Sequence, residues 1–90
     1  MIQIPGMRAL RTLEAAGRHL NFTRAADELG LTPAAVSYQI KEIEDQLGLV
    51  LFTRTSRSIR LTKAGELLLE ASADALDLMV ICAEAGLTVD

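Results

Sequence analysis

Aromatic side chains are scarce in this chain of 90 residues: Phe22, Tyr38 and Phe52 are the only ones, and tryptophan is absent. Half of the residues are nevertheless apolar, so the core must be built from Leu, Ile, Val and Ala. Side chains of this size suit helices that approach one another closely better than they suit a deep ligand pocket. A chain of this length buries one small core with little margin, so an oligomer interface would add stability.

Cysteine and histidine are equally scarce, with Cys82 and His19 the single examples. One cysteine cannot form an internal disulfide, and the two residues together cannot supply the three or four ligands of a metal site. We interpret Cys82 as a small apolar residue of a core or an interface rather than a redox sensor. His19, near the end of the first helix, is assigned no function. No nucleophile–base pair, phosphate-binding loop or paired-carboxylate pattern is present, so the sequence predicts no enzyme activity, no cofactor and no metal.

The sequence also lacks long apolar runs. Residues 1–7 contain no apolar core of a secretory signal, and no uncharged stretch approaches the roughly 20 residues that span a bilayer. We therefore expect a cytoplasmic protein with no membrane partner.

The formal net charge of −3 at first argues against nucleic-acid binding. The charges are unevenly distributed, however, because no basic residue follows Lys63. Residues 1–63 hold all nine Lys and Arg and six acids, a net charge of +3. Residues 64–90 hold six acids and no base, a net charge of −6. The amino-terminal part can thus still bind phosphate, with the acidic segment directed away from the duplex.

What the sequence does contain is a pattern of two short helices around a tight turn, in residues 21–40. Gly30 lies where the first helix must stop, because a left-handed residue without a Cβ is unstrained there. Thr32 can cap the second helix, and Pro33 suits its first position, where the missing N–H is no loss. The short turn makes the helices cross steeply, which is typical of a DNA-binding helix-turn-helix.

The second helix is predicted over residues 33–47, and its periodicity separates two faces. One face is an apolar stripe that must be buried, consisting of Val36, Ile40, Ile43 and Leu47. The opposite arc presents small or hydrogen-bonding groups near the helix start, which is the end that enters a major groove in this motif: Ala34, Ser37, Tyr38 and Lys41. Asp45, farther along this arc, would repel phosphate, so the helix is expected to leave the groove by its last turns.

Two short β-prone runs follow, in residues 49–54 and 58–61, on either side of a polar stretch of turn formers. They predict a small β-hairpin. Arg54, Arg57 and Arg60 concentrate three guanidinium groups on it, and such groups pair with phosphate or enter a narrow minor groove. A helix-turn-helix followed by a basic hairpin predicts a winged helix-turn-helix.

A long helix is predicted after Thr62, its capping residue. It has an apolar stripe at alternating steps of four and three: Leu68, Ala71, Ala75, Leu78 and Cys82. One interpretation is a helix packed on its own domain; the favoured one is a dimer interface, because so small a domain has little core left to cover the stripe.

The first helix, residues 7–20, is expected to bury Leu10, Leu13, Gly17 and Leu20. Its Arg8, Arg11 and Arg18 form either a solvated basic face or a contact with a partner's acidic helix.

Several stretches of this sequence occur in the order and spacing of one known family: residues 22–26, 35–41, 47–48, 51–52, 54–57 and 61–65. Over about residues 7–79 the chain resembles the amino-terminal domain of LysR-type transcriptional regulators, and residues 10–20 look most like the subgroup containing glycine-cleavage activators and β-lactamase regulators. Tyr38 stands where family members often have Arg or His, and Pro33 where they often have Gln. Because both residues lie on the groove-facing arc, the preferred DNA site is expected to differ.

The resemblance implies that the last helix is a linker helix that pairs antiparallel with a second copy. Family regulators are several-fold longer, with a carboxy-terminal effector-binding domain of periplasmic-binding-protein type. We therefore expect an excised DNA-binding domain, with a naturally short protein as the alternative. A small-molecule effector and a higher oligomer are expected only of a full-length regulator.

These observations combine into one prediction: a mainly α-helical winged helix-turn-helix in residues 1–62, followed by a linker and dimerisation helix in residues 63–90. The expected partner is double-stranded DNA, bound by a dimer at an interrupted inverted repeat. The competing class is a winged-helix protein-interaction module that contacts no DNA. The predicted DNA contacts are Arg24, Thr32, Pro33, Ala34, Ser37, Tyr38, Lys41, Arg54, Arg57 and Arg60.

Overall fold

The computed structural model describes residues 4–86 and contains four helices and one two-stranded antiparallel hairpin. This is the predicted mainly α-helical winged helix-turn-helix with a long helix after the wing. In chain order the elements are α1 (Met7–His19), α2 (Phe22–Leu29), α3 (Pro33–Leu47), β1 (Phe52–Arg54), β2 (Ile59–Leu61) and α4 (Lys63–Glu84).

The turn between α2 and α3 forms as its residues dictate. Gly30 ends α2 in the left-handed region with φ of 70°. Thr32 caps α3 by accepting a hydrogen bond from the backbone N–H of Ala35 at 3.1 Å, and Pro33 occupies the first turn. Asn21 caps α2 in the same way, accepting from the N–H of Arg24 at 2.9 Å. These contacts supply partners for backbone N–H groups that a helix start leaves free.

The core lies where α1, α2 and α3 meet the base of the hairpin. The predicted stripe of α3 is buried except for Leu47, which packs against the core while partly exposed. Two aromatic rings join this largely aliphatic core, with Phe22 and Phe52 in an edge-to-face contact at 5.6 Å between centroids. The completely buried larger side chains are Thr12, Leu13, Val36, Ile40, Ile43 and Leu51.

One prediction for α1 was wrong. Leu20 is 43% exposed rather than buried, because it follows the last residue of the helix and adopts a left-handed conformation with φ of 50°. Leu13 and Gly17 are buried as predicted, and Leu10 is half-buried.

The hairpin pairs Phe52 with Leu61, Thr53 with Arg60 and Arg54 with Ile59. Its base is tied to α3 by the carboxylate of Glu44. One oxygen of this group accepts hydrogen bonds from the backbone N–H groups of Leu51, at 2.7 Å, and Phe52, at 3.3 Å. The position of the wing relative to α3 therefore depends on a side chain of α3.

Helix α4 packs lengthwise on α1, through a face that the sequence reasoning did not identify. Gly65 and Ser72 on this face are buried, and Leu69 lies directly against Gly17 of α1. The interpretation of α4 as a helix packed on its own domain is thus correct for one face. Because α1 covers only that side, it leaves much of the predicted stripe uncovered.

The five stripe residues divide between core and solvent. Leu68 packs against the domain core and Ala75 is half-buried, whereas Ala71, Leu78 and Cys82 are exposed. Cys82 is therefore not a core residue, and its place in an interface stays a prediction. Within residues 4–86, no helix is long and apolar enough to cross a membrane.

Candidate DNA-binding interface

The exposed surface of α3 contains the four residues that the sequence assigned to its groove-facing arc. Ala34, Tyr38 and Lys41 are exposed, with Tyr38 at 67%, and Ser37 is half-buried. All four border a shallow notch between α3 and the wing, whose other walls include Phe52 and Arg54. The helix start and the wing thus form one continuous surface.

Thr32 and Pro33 lie at the edge of this surface, and both are exposed. The Thr32 hydroxyl oxygen is engaged as the cap of α3, so its O–H remains a donor that can point outward. Arg24 is exposed in the first turn of α2, the helix that crosses the DNA backbone in this motif.

The structure separates the three wing arginines that the sequence placed together. Arg57 is exposed in the turn of the hairpin, where Thr55 and Ser58 exchange hydrogen bonds through backbone and hydroxyl groups. Arg60 is exposed on β2 and pairs with Thr53, so it belongs to the opposite face of the hairpin from Arg54. The wing therefore offers cations in different directions rather than a single cluster.

Arg54 differs from the other two because its guanidinium is already engaged within the protein. Its Nη1 donates a hydrogen bond to Oγ of Ser37 at 2.9 Å. The guanidinium carbon also lies 4.6 Å from the centroid of the Phe22 ring, within the range of a cation–π contact. Arg54 thereby connects β1, the start of α2 and the exposed face of α3.

Nearby ion pairs limit which other charges can reach DNA. Lys41 lies 3.9 Å from Asp45, but both side chains are about 70% exposed, so the pair is weak and Lys41 can turn toward phosphate. Arg18 is more firmly held, since it contacts Glu14 at 2.8 Å and also Glu28. The hydrogen bond from Arg18, helped by one from His19, lowers the pKa of Glu28 to about 2. Arg18 is therefore paired within its own chain and does not belong to a free basic face.

Sequence reasoning missed two polar contacts that position this surface. Glu44 holds the wing, as described above, and Gln39 of α3 accepts a hydrogen bond from the buried hydroxyl of Thr12 in α1. Neither contact could be predicted from the sequence, because a helical Glu or Gln that makes such a contact has the same sequence pattern as one that is exposed to solvent. Both contacts fix α3, the helix that presents the candidate site.

Comparisons with known proteins agree with this geometry. The model of the family described as bacterial regulatory helix-turn-helix protein, lysR family, matches residues 7–66. The glycine cleavage system transcriptional activator of Escherichia coli (strain K12) is 58% identical over 64 residues, which cover 71% of this chain and 21% of that protein. The HTH-type transcriptional activator AmpR of Pseudomonas aeruginosa is 52% identical over 71 residues, which cover 79% of this chain and 24% of that protein. The chain thus spans about a quarter or less of the length of these relatives.

A solved structure extends the similarity to almost the whole chain. The complex of the CbnR DNA-binding domain with DNA superposes with a TM-score of 0.84 at 29% sequence identity, covering 91% of this chain and 94% of that one. The predicted resemblance to LysR-type regulators, including relatives that are glycine-cleavage activators, is confirmed. This chain belongs to the lysR family of bacterial regulatory helix-turn-helix proteins.

Proposed function

We propose that the chain binds double-stranded DNA sequence-specifically, as a dimer, at an interrupted inverted repeat. The observation that best supports this is the exposed, capped start of α3, which stands beside the wing with no other element over it in residues 4–86. A helix start with small side chains can approach base edges in a major groove closely. The domain acts by binding rather than by catalysis, and its DNA partner implies a cytoplasmic location.

The interface residues divide into two groups by chemistry. Pro33, Ala34, Ser37 and Tyr38 are placed to contact base edges, because they share the exposed start of α3. The second group consists of cations and one hydroxyl suited to phosphate oxygens: Arg24, Thr32, Lys41, Arg54, Arg57 and Arg60. Base contacts determine sequence preference, whereas phosphate contacts strengthen binding to all sequences and make it sensitive to salt.

Charge and exposure support a division of the chain into a DNA-binding unit, residues 1–62, and a dimerisation helix, residues 63–90. Exposed Ala71, Leu78 and Cys82 form a line on α4 that water covers in a lone domain, and Leu68 and Ala75 border it. A second α4, antiparallel to the first, would bury this line between leucines and small residues. Such a twofold dimer presents two α3 helices to successive major grooves, so the DNA site must share its symmetry.

The proposal is tested by selecting duplexes from a random pool and measuring affinity at two salt concentrations. The selected duplex should bind more tightly than a scrambled one, and both affinities should fall steeply with salt. Tyr38→Ala should reduce the preference for the selected duplex by about 1–3 kcal/mol. Lys41→Ala, one turn along the same helix, is the matched control and should weaken both duplexes about equally. An unchanged preference in Tyr38→Ala would remove Tyr38 from the base-reading group.

Binding that is insensitive to salt, together with no enriched sequence, would contradict the DNA-binding proposal. It would favour the competing interpretation, in which the winged helix is a protein-interaction module.

A further inference from the structure

We infer that Arg54 is a positioning residue that makes the Ser37 hydroxyl a hydrogen-bond donor toward DNA, so that Ser37 prefers base edges carrying an acceptor. This inference rests on the proposed function. It assigns Arg54 a role in sequence preference, beyond the phosphate contact that its charge alone suggests.

The first step concerns the hydrogen bond itself. A serine hydroxyl can donate or accept, and by itself it does not distinguish a donor from an acceptor on a base. A guanidinium has only N–H groups, so in the contact at 2.9 Å Arg54 must donate and the Ser37 oxygen must accept. Because the Arg54 charge repels the hydroxyl proton, the O–H bond is directed away from the wing arginine.

The second step concerns where that proton can go. A serine within a helix often donates to the carbonyl four residues earlier, which would be that of Pro33. Within residues 4–86 the hydroxyl of Ser37 has no protein acceptor, and the residue lines the notch that faces outward. The O–H is thus available to a DNA acceptor when α3 enters the groove.

The third step concerns why Arg54 stays in place. The guanidinium lies over the Phe22 ring at 4.6 Å, and Phe22 in turn contacts Phe52 edge to face. Both rings are almost completely buried, so the platform under Arg54 is rigid. An arginine held in this way loses little further side-chain freedom on binding, which favours a fixed direction for the hydroxyl.

In the major groove the acceptors are N7 of either purine, O6 of guanine and O4 of thymine, whereas cytosine presents the N4 donor. Ser37 should therefore disfavour a cytosine at the position it contacts. Without Arg54 the hydroxyl can accept from a base donor or donate to the carbonyl of Pro33, so this discrimination is lost even though Ser37 is still present.

The experiment selects duplexes from a random pool with the wild type, Ser37→Ala, Arg54→Met and the double variant. Arg57→Met is the matched control, since it removes the same charge from the wing turn. We expect Ser37→Ala and Arg54→Met to lose preference at the same base position, by about tenfold. The double variant should lose no more than either single variant, and Ser37→Thr should retain the preference. Arg57→Met should weaken all duplexes about equally.

A second arm separates a base contact from a phosphate contact. Weakening the contacted acceptor of the selected base, with a 7-deazapurine for N7, 6-thioguanine for O6 or 4-thiothymine for O4, should weaken the wild type about tenfold and leave Ser37→Ala unaffected. Thermal unfolding of each variant identifies any loss caused by misfolding, which would lower binding without moving the preference. Uniform weakening by Arg54→Met, or loss at a different position from Ser37→Ala, would overturn the inference. A wild type that enriches no sequence would instead overturn the proposed function.

Discussion

Gly65 shows how the absence of one Cβ allows α4 to pack closely against the hairpin. A Cβ built on this residue would lie 2.1 Å from the carbonyl oxygen of Leu51, which already accepts a hydrogen bond from the N–H of Thr62. The helix can begin this close to the hairpin only because residue 65 has no side chain. Gly17 has a different environment, since the three heavy atoms nearest to a Cβ there all belong to the side chain of Leu69, at 2.8 Å or more.

We predict that Gly65→Ala destabilises the domain by about 1–3 kcal/mol or more, because backbone atoms must move to relieve the clash. Gly17→Ala is the matched control, in another buried helical position. It should cost less, since the flexible Leu69 can shift and alanine favours the helix by about 1 kcal/mol over glycine. Urea unfolding of both variants measures the difference. Equal losses in the two variants would show that the contact with Leu51 is not decisive.

Glu28 provides a second test at the residue scale, through pH. Its pKa is lowered to about 2 in the folded protein by hydrogen bonds from Arg18 and His19. The carboxylate therefore contributes stability above its unfolded pKa near 4.5, and this contribution is lost as pH falls toward 2. Because the Glu28 side chain is 40% exposed, the contribution should be below about 1 kcal/mol.

We expect Glu28→Gln to be less stable than the wild type at neutral pH, and the difference in stability to shrink toward zero as pH falls to about 2, as measured by urea unfolding across that range. Asp27→Asn, at the neighbouring exposed position, controls for the change in net charge. If the stability difference from the wild type shrank equally with falling pH in both variants, the effect would come from net charge and not from the pair with Arg18.

At the scale of elements, the wing depends on α3 for its position. The Glu44 carboxylate accepts from two backbone N–H groups at the entry to β1, in residues that are almost completely buried. Charged acceptors make hydrogen bonds worth about 1.5–3 kcal/mol, and an unpaired buried N–H is costly. This one contact links the two elements that form the candidate interface.

We predict that Glu44→Gln lowers the free energy of unfolding by about 1–2 kcal/mol, because the neutral amide is a weaker acceptor of similar shape. Glu42→Gln, two residues earlier on the exposed side of α3, should change it little. Chemical denaturation provides the measurement. A result in which Glu42→Gln costs as much would indicate a general effect of helix charge.

How far sequence reasoning succeeded also differs between elements. The start of α3 was predictable because its cap, its proline and the preceding glycine act within a few residues of one another. The packing of α4 on α1 was not predictable, since it depends on a contact between Gly17 and Leu69, which are far apart in the sequence. The three wing arginines were correctly predicted to lie on one hairpin, but their directions were not predictable, because the strand register assigns Arg54 and Arg60 to opposite faces. Their DNA contacts stay a prediction.

At the scale of the whole molecule, one side of α4 exposes apolar side chains to water in a single copy of the chain. Leu78 is 62% exposed there, and full burial of one leucine is worth about 1.5–3 kcal/mol. Pairing of two α4 helices would bury the line from Leu68 to Cys82 on both copies. This burial favours association and offsets the entropy that association costs.

We predict that Leu78→Glu yields a folded monomer that binds half-sites weakly, as measured by sedimentation and by binding to half and full sites. Val80→Glu adds the same charge at an exposed apolar position about 200° around the helix, so it should remain dimeric. A wild type that sediments as a monomer at tens of micromolar, and binds half and full sites alike, would contradict the dimer.

The placement of Tyr38 has a practical consequence for all these measurements. In a chain without tryptophan, this single tyrosine is the dominant source of intrinsic ultraviolet fluorescence. It lies exposed on the face of α3 that we propose enters the groove, whereas the proposed dimer surface belongs to a different helix, α4. Its emission should therefore be quenched when a base stacks on it or bonds to it, while self-association leaves it unchanged. The protein thus has a built-in optical reporter of groove entry that needs no attached dye.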